Sequence, residues 1–307
     1  MSKSIADIQL KNDFIAAPLA GYTDIAFRRL CLENGAAMAV TEMVSAKGLC
    51  YRNPQTERLL RISETEKPSC LQLFGSDYRD FVKADELGYL SKFDIIDINM
   101  GCPVNKVVKN GEGSALLKTP SVAADIVKSL CDRGRIVTVK MRSGFAENEN
   151  VSVKFAMAMQ DAGASMVTVH ARTRAQLYGG KADYSITEAV KDALDIPVAL
   201  NGDITDEESF LQRKNCADFY MIGRGALARP DIFNVLQGLK ARSKRDLIMR
   251  HIELLCEYFE ERYAVNQLCK FMAYYLKGER GTKELKAKVY CLDSVDKIKE
   301  EIEKVFT

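Results

Sequence analysis

Short apolar segments rich in β-branched residues recur along most of the chain and predict β-strands. Each is followed by a longer segment whose apolar positions repeat with helical spacing. The predicted strands are Phe14–Ala17, Met38–Thr41, Cys70–Phe74, Ile95–Asn99, Ile136–Met141, Met166–His170, Pro197–Asn201 and Phe219–Ile222. The pattern therefore predicts a succession of eight strand–helix units.

Glycines follow several of the predicted helices, as expected at helix ends. The helices predicted over Asp24–Asn34, Ser121–Arg133 and Val151–Ala162 each end just before a glycine. Eight such units favour an α/β fold, a parallel (β/α)8 TIM barrel. A doubly wound sheet is the alternative, but it would normally carry a glycine-rich loop after its first strand, and the sequence has no G-x-G-x-x-G motif.

The strand pattern stops near residue 240, and the rest of the chain has only helical periodicity. Helices are predicted over Asp246–Arg262, Asn266–Lys277 and Ser294–Val305. We therefore expect two domains, a TIM barrel over residues 1–240 and a small all-helical domain over residues 241–307, which we call the helical tail.

The segment 270–288 of the helical tail is strongly basic. It has six basic residues against two acidic ones, an excess of +4, with aromatic residues interleaved: Lys270, Lys277, Arg280, Lys283, Lys286 and Lys288, against Glu279 and Glu284, with Phe271, Tyr274 and Tyr275. Two interpretations remain open. The segment is a solvated helix face over core aromatics, or it binds phosphates and stacks bases.

Composition narrows the class of protein. Of the 307 residues, 47% are hydrophobic and 28% are charged, which is typical of a soluble globular protein. No apolar run is long enough to span a bilayer, and the first residues show no signal-peptide pattern, so we expect a cytoplasmic protein. The nine cysteines form no Cys-x-x-Cys pair, and only two histidines are present, so we expect free thiols and no metal site. The net charge of +2 is too small to indicate a nucleic-acid partner by itself.

The segment Asn99-Met100-Gly101-Cys102-Pro103 places a thiol at the carboxyl end of the fourth predicted strand. In a TIM barrel this end carries the reacting groups. A buried structural cysteine beside a turn is the alternative for Cys102 taken alone. Polar residues at the same end of the other strands favour a reactive thiol, because a packed barrel interior would carry Val, Ile and Leu there.

The loops after the last two predicted strands form the usual phosphate site of such a barrel. A ligand held there could extend across the barrel mouth to Gln72 and Lys140, and flavin mononucleotide (FMN) has the length and shape to do so. The amide of Gln72 would pair with the polar edge of the flavin ring, and Lys140 would stabilise the negative charge of the reduced ring. A Schiff-base role for Lys140, and a core role for His170, are the alternatives.

These segments together resemble the tRNA-dihydrouridine synthase family, over about residues 13 to 235. The similarity lies in the order of several short motifs: Ala17-Pro18-Leu19-Ala20-Gly21-Tyr22-Thr23-Asp24, Asn99-Met100-Gly101-Cys102-Pro103, Val139-Lys140-Met141-Arg142, His170-Ala171-Arg172-Thr173-Arg174, Asn201-Gly202-Asp203-Ile204 and Gly223-Arg224-Gly225-Ala226. Two positions depart from the family pattern. Leu19 replaces an expected methionine, and Tyr22 is larger than usual, which would reshape the near edge of a cofactor site.

The resemblance implies reduction of the C5–C6 double bond of uridine in the tRNA D-loop. FMN, reduced by NADPH or NADH, would give a hydride to C6, and Cys102 would give a proton to C5. The implied cofactor-binding residues are Pro18, Leu19, Ala20, Gln72, Lys140, His170, Asn201, Gly202, Asp203, Gly223 and Arg224. The implied substrate contacts are Asn99, Arg172 and Tyr178, and the helical tail would bind tRNA.

Two other functions remain open at this point. A flavin dehydrogenase of the dihydroorotate dehydrogenase type shares the barrel and an active-site cysteine, but would not need a basic tail. An RNA-binding protein on an inactive barrel would not need Cys102, Lys140 and Gln72. We expect a monomer.

Overall fold

The computed structural model of the protein describes residues 3–279 and 282–306. It begins with a small antiparallel hairpin of β1 (Ser4–Ile5) and β2 (Ile8–Gln9). Ile5 and Leu10 of this hairpin are buried against the apolar interior of a barrel. The hairpin therefore closes the amino-terminal end of that barrel, and leaves the carboxyl end for a functional site.

Eight parallel strands form the barrel, in the order in which they occur along the chain. They are β3 (Phe14–Ala16), β4 (Met38–Val40), β6 (Ser69–Phe74), β7 (Ile95–Met100), β8 (Val137–Arg142), β9 (Met166–His170), β10 (Val198–Asn201) and β11 (Phe219–Ile222). Pairing of β4 with β6, and of β11 with β3, closes the ring. A short strand β5 (Val44–Ser45) extends the sheet beside the end of β6. The predicted TIM barrel and its eight strands are confirmed.

Helices connect the strands on the outside of the barrel. They are α1 (Ile25–Glu33), α2 (Ala46–Cys50), α3 (Pro54–Arg58), α4 (Tyr78–Glu86), α5 (Asn105–Val108), α6 (Pro120–Cys131), α7 (Ser152–Asp161), α8 (Ser185–Ala193), α9 (Glu207–Leu211), α10 (Arg224–Ala228) and α11 (Ile232–Val235), with a 3-10 helix over Gly113–Lys118. The apolar faces of these helices and the outward side chains of the strands form the main core. The bounds of α1, α6 and α7 agree with the sequence prediction to within two residues.

In its described part, the helical tail has four helices rather than the three predicted. They are α12 (Lys244–Tyr258), α13 (Glu261–Tyr275), α14 (Lys283–Val289) and α15 (Val295–Phe306). The single helix predicted over Asp246–Arg262 is wrong, because the backbone is extended at Phe259 and Glu260. The ring of Phe259 stacks on that of Tyr263, with 4.1 Å between their centroids. This aromatic contact stabilises the break between α12 and α13.

The tail packs on the outside of the barrel beside α1. Arg250 of α12 pairs with Glu33 of α1 at 2.7 Å, and the Arg29 guanidinium donates a hydrogen bond to the Tyr258 hydroxyl. Tyr22, in the loop after β3, meets the rings of Phe271 and Tyr274 edge-on, 5.5 Å between centroids in each case. Tyr22 therefore packs towards the tail, and the division of the chain into two domains stays a prediction.

Candidate active site

A cleft opens at the carboxyl end of the barrel, with an empty volume of about 1050 Å³ that is partly open to solvent. Its walls come from the loops that follow the barrel strands. The lining residues are Ala17–Ala20, Met43, Gln72, Asn99, Gly101–Val104, Lys140, Arg142, His170, Tyr178, Asn201–Thr205 and Met221–Gly225. Parallel strands bring all these segments to one end of the barrel, so distant parts of the sequence meet in one cleft.

The Cys102 loop is held by the Asn99 side chain, at the end of β7. The Asn99 Oδ1 atom accepts hydrogen bonds from the backbone N–H groups of Cys102 at 2.9 Å and Gly101 at 3.1 Å. Gly113 has a φ of +59°, and a β-carbon there would lie 3.0 Å from that of Cys102, so only glycine fits without strain. The thiol is therefore carried by a loop with defined backbone contacts.

The Cys102 thiol is half-buried on the cleft wall. Burial raises the pKa of this thiol, while the positive charges of Arg142 and Lys140 act in the opposite direction. Because the pKa is above its ordinary value, the thiol carries its proton at neutral pH. The group is therefore suited to donate a proton rather than to act as a resting thiolate nucleophile.

Lys140 projects into the cleft from β8, next to Asn99 in the register of the sheet. Its Nζ atom donates a hydrogen bond to the Asn201 Oδ1 atom at 2.8 Å, which leaves two of its three protons for a ligand. Burial and the nearby Arg142 charge lower the pKa of Lys140 to about 8. Lys140 is thus a cation near neutral pH that loses its charge in mildly alkaline solution.

Arg142 is a buried cation that ties two loops together, and is only 2% exposed. Its Nε donates to the Gly101 carbonyl of the Cys102 loop at 2.9 Å. Its Nη1 donates to the Thr173 and Leu177 carbonyls of the loop after β9, both at 2.8 Å. Burial lowers the pKa of Arg142 to about 10, so it remains charged at neutral pH.

His170 lines the cleft at the end of β9. Burial, together with the positive charges of Lys140 and Arg142, lowers its pKa well below the ordinary value, so the ring is neutral. Within residues 3–279 and 282–306, no hydrogen-bond partner is found for either ring nitrogen. A neutral ring with free nitrogens can offer one donor and one acceptor to a ligand.

Asp203 organises the corner formed by the loops after β10 and β11. Its carboxylate accepts hydrogen bonds from Arg172 at 2.6 Å and from Arg224 at 3.0 Å. Burial alone would raise the pKa of Asp203, but the arginines hold it below its usual range. A β-carbon on Gly202, whose φ is +132°, would lie 3.2 Å from that of Ala182, so this corner needs glycine.

Tyr178 stands at the edge of the cleft and is 58% exposed. The guanidinium groups of Arg142 and Arg224 lie 5.7 and 5.8 Å from the centre of its ring. The neighbouring Leu177 is 49% exposed, so the mouth of the cleft carries an apolar and aromatic edge. Such an edge suits a planar, partly apolar ligand.

A comparison with known protein families identifies the family of this chain. The family model described as dihydrouridine synthase matches residues 15–307. The chain belongs to the dihydrouridine synthase family. The match extends through the helical tail as well as the barrel.

Named relatives resemble the chain over nearly its whole length. The tRNA-dihydrouridine synthase B of Vibrio parahaemolyticus is 35% identical over 304 residues, which cover 94% of each chain. The probable tRNA-dihydrouridine synthase of Rickettsia conorii is 32% identical and covers 99% of this chain and 96% of its own. The probable tRNA-dihydrouridine synthase 1 of Synechocystis is 36% identical and covers 96% and 87%.

Solved structures support the fold. Morphinone reductase gives a TM-score of 0.57 at 12% identity, covering 79% of this chain and 90% of that chain. The old yellow enzyme from Trypanosoma cruzi gives a TM-score of 0.56 at 11% identity, covering 82% and 95%. At such low identity the similarity concerns the barrel architecture alone.

In this member of the family, most residues predicted from the sequence meet in the cleft. Cys102 and all the predicted cofactor-binding residues line it, as do Asn99 and Tyr178. Arg172 does not line it. It is 2% exposed, and bonds to Asp203 and to the carbonyls of Gly179 and Gly180.

Sequence reasoning missed several lining residues: Met43, Pro103, Val104, Ile204, Thr205 and Met221. Most are apolar and adjoin motif residues, so only their position after a strand could have suggested them. Met43 lies in the break between β4 and β5, a feature with no clear sequence pattern.

A set of basic residues borders the cleft beyond the Cys102 loop, and we call it the basic rim: Lys106, Lys109, Lys118 and Arg174. The Phe145 ring lies between the Lys118 Nζ at 3.6 Å and the Arg174 guanidinium at 5.1 Å from its centre. Arg174 also donates to the Asn105 Oδ1 at 2.6 Å. In the described ranges no carboxylate pairs with these four cations, so their charge is available to a ligand.

The residues of the basic segment 270–288 lie in different environments. Phe271 and Tyr275 are buried core residues, as the solvated-face interpretation expects. Lys288 pairs with Glu301 at 3.2 Å, whereas Lys270 and Lys277 are exposed and Lys286 is half-buried. Arg280, and the side chain of Lys283, lie outside the described residues.

No helix among the described residues has the length and hydropathy to cross a membrane. Over the same residues, no three His, Cys, Asp or Glu side chains form a cluster that could hold a metal ion.

Proposed function

We propose that the protein reduces uridine in the D-loop of tRNA to 5,6-dihydrouridine, with FMN in the cleft. The observation that carries the proposal is the Cys102 thiol on the wall of the same cleft that presents Lys140, in a chain of the dihydrouridine synthase family. The names of its relatives supply the substrate class.

The residues present fit a flavin. His170 offers free ring nitrogens, and Lys140 has two unused protons. Helix α10 begins at Arg224, so its first backbone N–H groups have no intrahelical acceptor and can face a phosphate. Together with Gly202 and the Arg224 guanidinium they would hold the phosphate end, while Gln72 and Lys140 would meet the ring.

FMN held in the cleft, once reduced by NADPH or NADH, would supply the hydride for C6 of uracil. The chain supplies the other half of the reaction. The S–H bond of Cys102 breaks as its proton forms a C–H bond at C5, and the thiolate is reprotonated from solvent. Lys140 would hold the negative charge that the reduced cofactor carries.

The Cys102 thiol lies on the wall of a cleft in the barrel, so the target uridine must leave its stack to reach it. The exposed ring of Tyr178, at the mouth, offers a surface on which a base can stack. The basic rim and the exposed lysines of the tail, on opposite sides of that mouth, would bind phosphates on either side of it. Asn99 would contact the edge of the uracil. We extend the proposal to a tRNA-binding role for residues 241–307, a monomeric state and a cytoplasmic location.

The experiment is a comparison of wild type with Cys102→Ala on unmodified tRNA. We expect wild type to form dihydrouridine, detected as a gain of two mass units in a D-loop fragment. The variant should bind flavin and be reduced by NADPH as before, but should form product at least 100-fold more slowly because no group donates to C5. Normal product formation by the variant would overturn the role of Cys102.

A further inference from the structure

Asp97 is a buried acidic residue that the mechanism above does not use. It lies on β7, and only 1% of its surface is exposed. Among the described residues no basic group forms a salt bridge with it. Burying a carboxylate without a cation costs several kcal/mol unless hydrogen bonds compensate.

The hydrogen bonds come from the two neighbouring strands. Gln72 of β6 and Thr138 of β8 lie directly beside Asp97 in the register of the sheet. The Gln72 Nε2 donates to one carboxylate oxygen at 2.7 Å, and the Thr138 hydroxyl donates to the other at 2.7 Å. Burial raises the pKa of Asp97, while both hydrogen bonds and the nearby Lys140 favour the ionised form.

An ionised carboxylate can only accept, so it fixes the direction of the bonds that follow. Gln72 turns its NH2 group to Asp97, and its Oε1 is left to accept from the Asn99 Nδ2 at 2.8 Å. Asn99 then has its Oδ1 free to accept from the N–H groups of Gly101 and Cys102. The chain of bonds thus runs from Asp97 to the loop that carries the thiol.

We propose that Asp97 is a positioning residue, which orients Gln72 and Asn99 and thereby holds the Cys102 loop in place. Asp97 does not line the cleft, so it acts through these two amides. The functional importance of the loop rests on the proposed role of Cys102, whereas the orienting effect on the loop can be measured separately.

The direct test replaces Asp97 by leucine, which has a similar volume but offers no hydrogen-bond acceptor. The NH2 group of Gln72 then has no carboxylate to bind, so neither Gln72 nor Asn99 is held in one orientation. The Oδ1 of Asn99 is no longer fixed towards the N–H groups of Gly101 and Cys102, and these two hydrogen bonds weaken. We expect the loop to loosen while the barrel stays folded.

The readout is alkylation of the flavin-loaded protein by iodoacetamide, followed at each cysteine by peptide mass spectrometry. Asp97→Leu should raise the rate at Cys102 by about tenfold, because the two loop hydrogen bonds are weakened. Cys70, buried in β6 two residues from Gln72, serves as an internal control and should stay unreactive. Thr138→Val removes a bond to Asp97 without changing the direction of the chain, and should leave the Cys102 rate within about twofold.

A second variant guards against misfolding. Asp97→Asn keeps an oxygen that accepts from the Gln72 Nε2, while its NH2 group donates to the Thr138 hydroxyl, so Asn99 keeps its orientation. We expect the Cys102 alkylation rate of this variant to stay within about twofold of wild type.

An unchanged Cys102 rate in Asp97→Leu, or equal acceleration at Cys102 and Cys70, would overturn the positioning role. So would an Asp97→Asn variant that reacts as fast as Asp97→Leu. If wild type forms no dihydrouridine, the proposed function fails, but the alkylation rates still decide whether Asp97 holds the loop.

Discussion

At the residue scale, the cleft combines groups whose burial shifts their protonation in useful directions. The Cys102 thiol is kept protonated, Lys140 is a cation whose pKa lies close to neutral, and the His170 ring is kept neutral. All three shifts have the same leading cause, removal from water at the mouth of the barrel. A proton donor and a cation therefore lie in the same cleft.

Lys140 gives a prediction about pH. Its pKa of about 8 means that the charge is present below pH 8 and is lost as the pH rises through that value. We expect the rate of flavin reduction by NADPH to fall about tenfold between pH 7 and pH 9.5, because the reduced ring loses its counter-charge. Stopped-flow measurements of the flavin absorbance would show this fall.

Two matched variants test whether Lys140 is the group whose titration changes the rate. Lys140→Met should be slow and nearly independent of pH over this range, whereas Lys214→Met, a change at an exposed lysine before β11, should keep the wild-type profile. A pH-dependent fall that persists in Lys140→Met would assign the titration to another group.

At the element scale, the residue that caps the start of α1 is a buried aspartate, and its negative charge costs free energy. Asp24 caps α1 by accepting from the Phe27 N–H at 2.9 Å, and the Tyr263 hydroxyl of the tail donates to it at 3.3 Å. Burial raises the pKa of Asp24 to about 6. Asp24 therefore contributes most to stability below pH 4, and this contribution is lost as the pH rises through about 6.

Asp24→Asn is predicted to stabilise the protein at neutral and higher pH. Asparagine is an equally good cap, and it removes a charge that is costly to bury. The gain should be up to about 3 kcal/mol at pH 8, and about 1 kcal/mol less at pH 5. Urea unfolding at the two pH values measures it.

The control for this prediction is another capping residue with the opposite shift. Asp77 caps α4, and its hydrogen bonds with Arg79 lower its pKa. Asp77→Asn should therefore bring no gain at pH 8. Equal stabilisation by Asp24→Asn and Asp77→Asn would show that the gain does not come from removing the buried charge of Asp24.

The sequence predicted the regular elements well, because their signals are local. Eight apolar segments became eight strands, and glycines correctly marked the ends of α1, α6 and α7. The break at Phe259 was missed, since the apolar spacing continues through it and the stabilising contact is the ring of Tyr263 on the next helix.

The sequence predicted those site residues whose side chains project from the end of a strand. It failed where contacts between distant segments determine the position of a side chain. Lys140 and Cys102 follow directly from the alternation along β8 and the turn after β7. Arg172 was expected at the substrate, but Asp203, which comes from another strand, draws it below the surface of the cleft. The role of Asp97 depends on register with β6 and β8, which no single segment reveals.

At the scale of the whole molecule, positive charge without an ion-pair partner among the described residues lies on two sides of the cleft. The basic rim lies on the loops after β7 and β9, while Lys270 and Lys286 belong to the tail beside β3 and α1. Other basic residues of the tail are neutralised, as in the pairs Lys244–Glu279 and Arg245–Glu303. This arrangement suits an RNA that extends across the mouth of the barrel.

The basic rim predicts a change in the salt dependence of tRNA binding. Lys106→Gln combined with Lys118→Gln should weaken binding and reduce the slope of log K against log salt by about 1.5, since each lost phosphate contact contributes ~0.7–0.9. Lys92→Gln combined with Lys214→Gln makes the same change in net charge at the other end of the barrel, and should leave the slope unchanged. Equal slopes for both pairs would place the RNA elsewhere.

The central claim is that the cleft holds a flavin that passes electrons to uridine in tRNA. The most direct measurement is the visible spectrum of the purified protein under anaerobic conditions, first with NADPH and then with unmodified tRNA. We predict a flavin spectrum that NADPH bleaches and tRNA restores, with dihydrouridine formed in proportion. A flavin that tRNA leaves reduced but a free pyrimidine reoxidises, or a protein without flavin, would contradict the account.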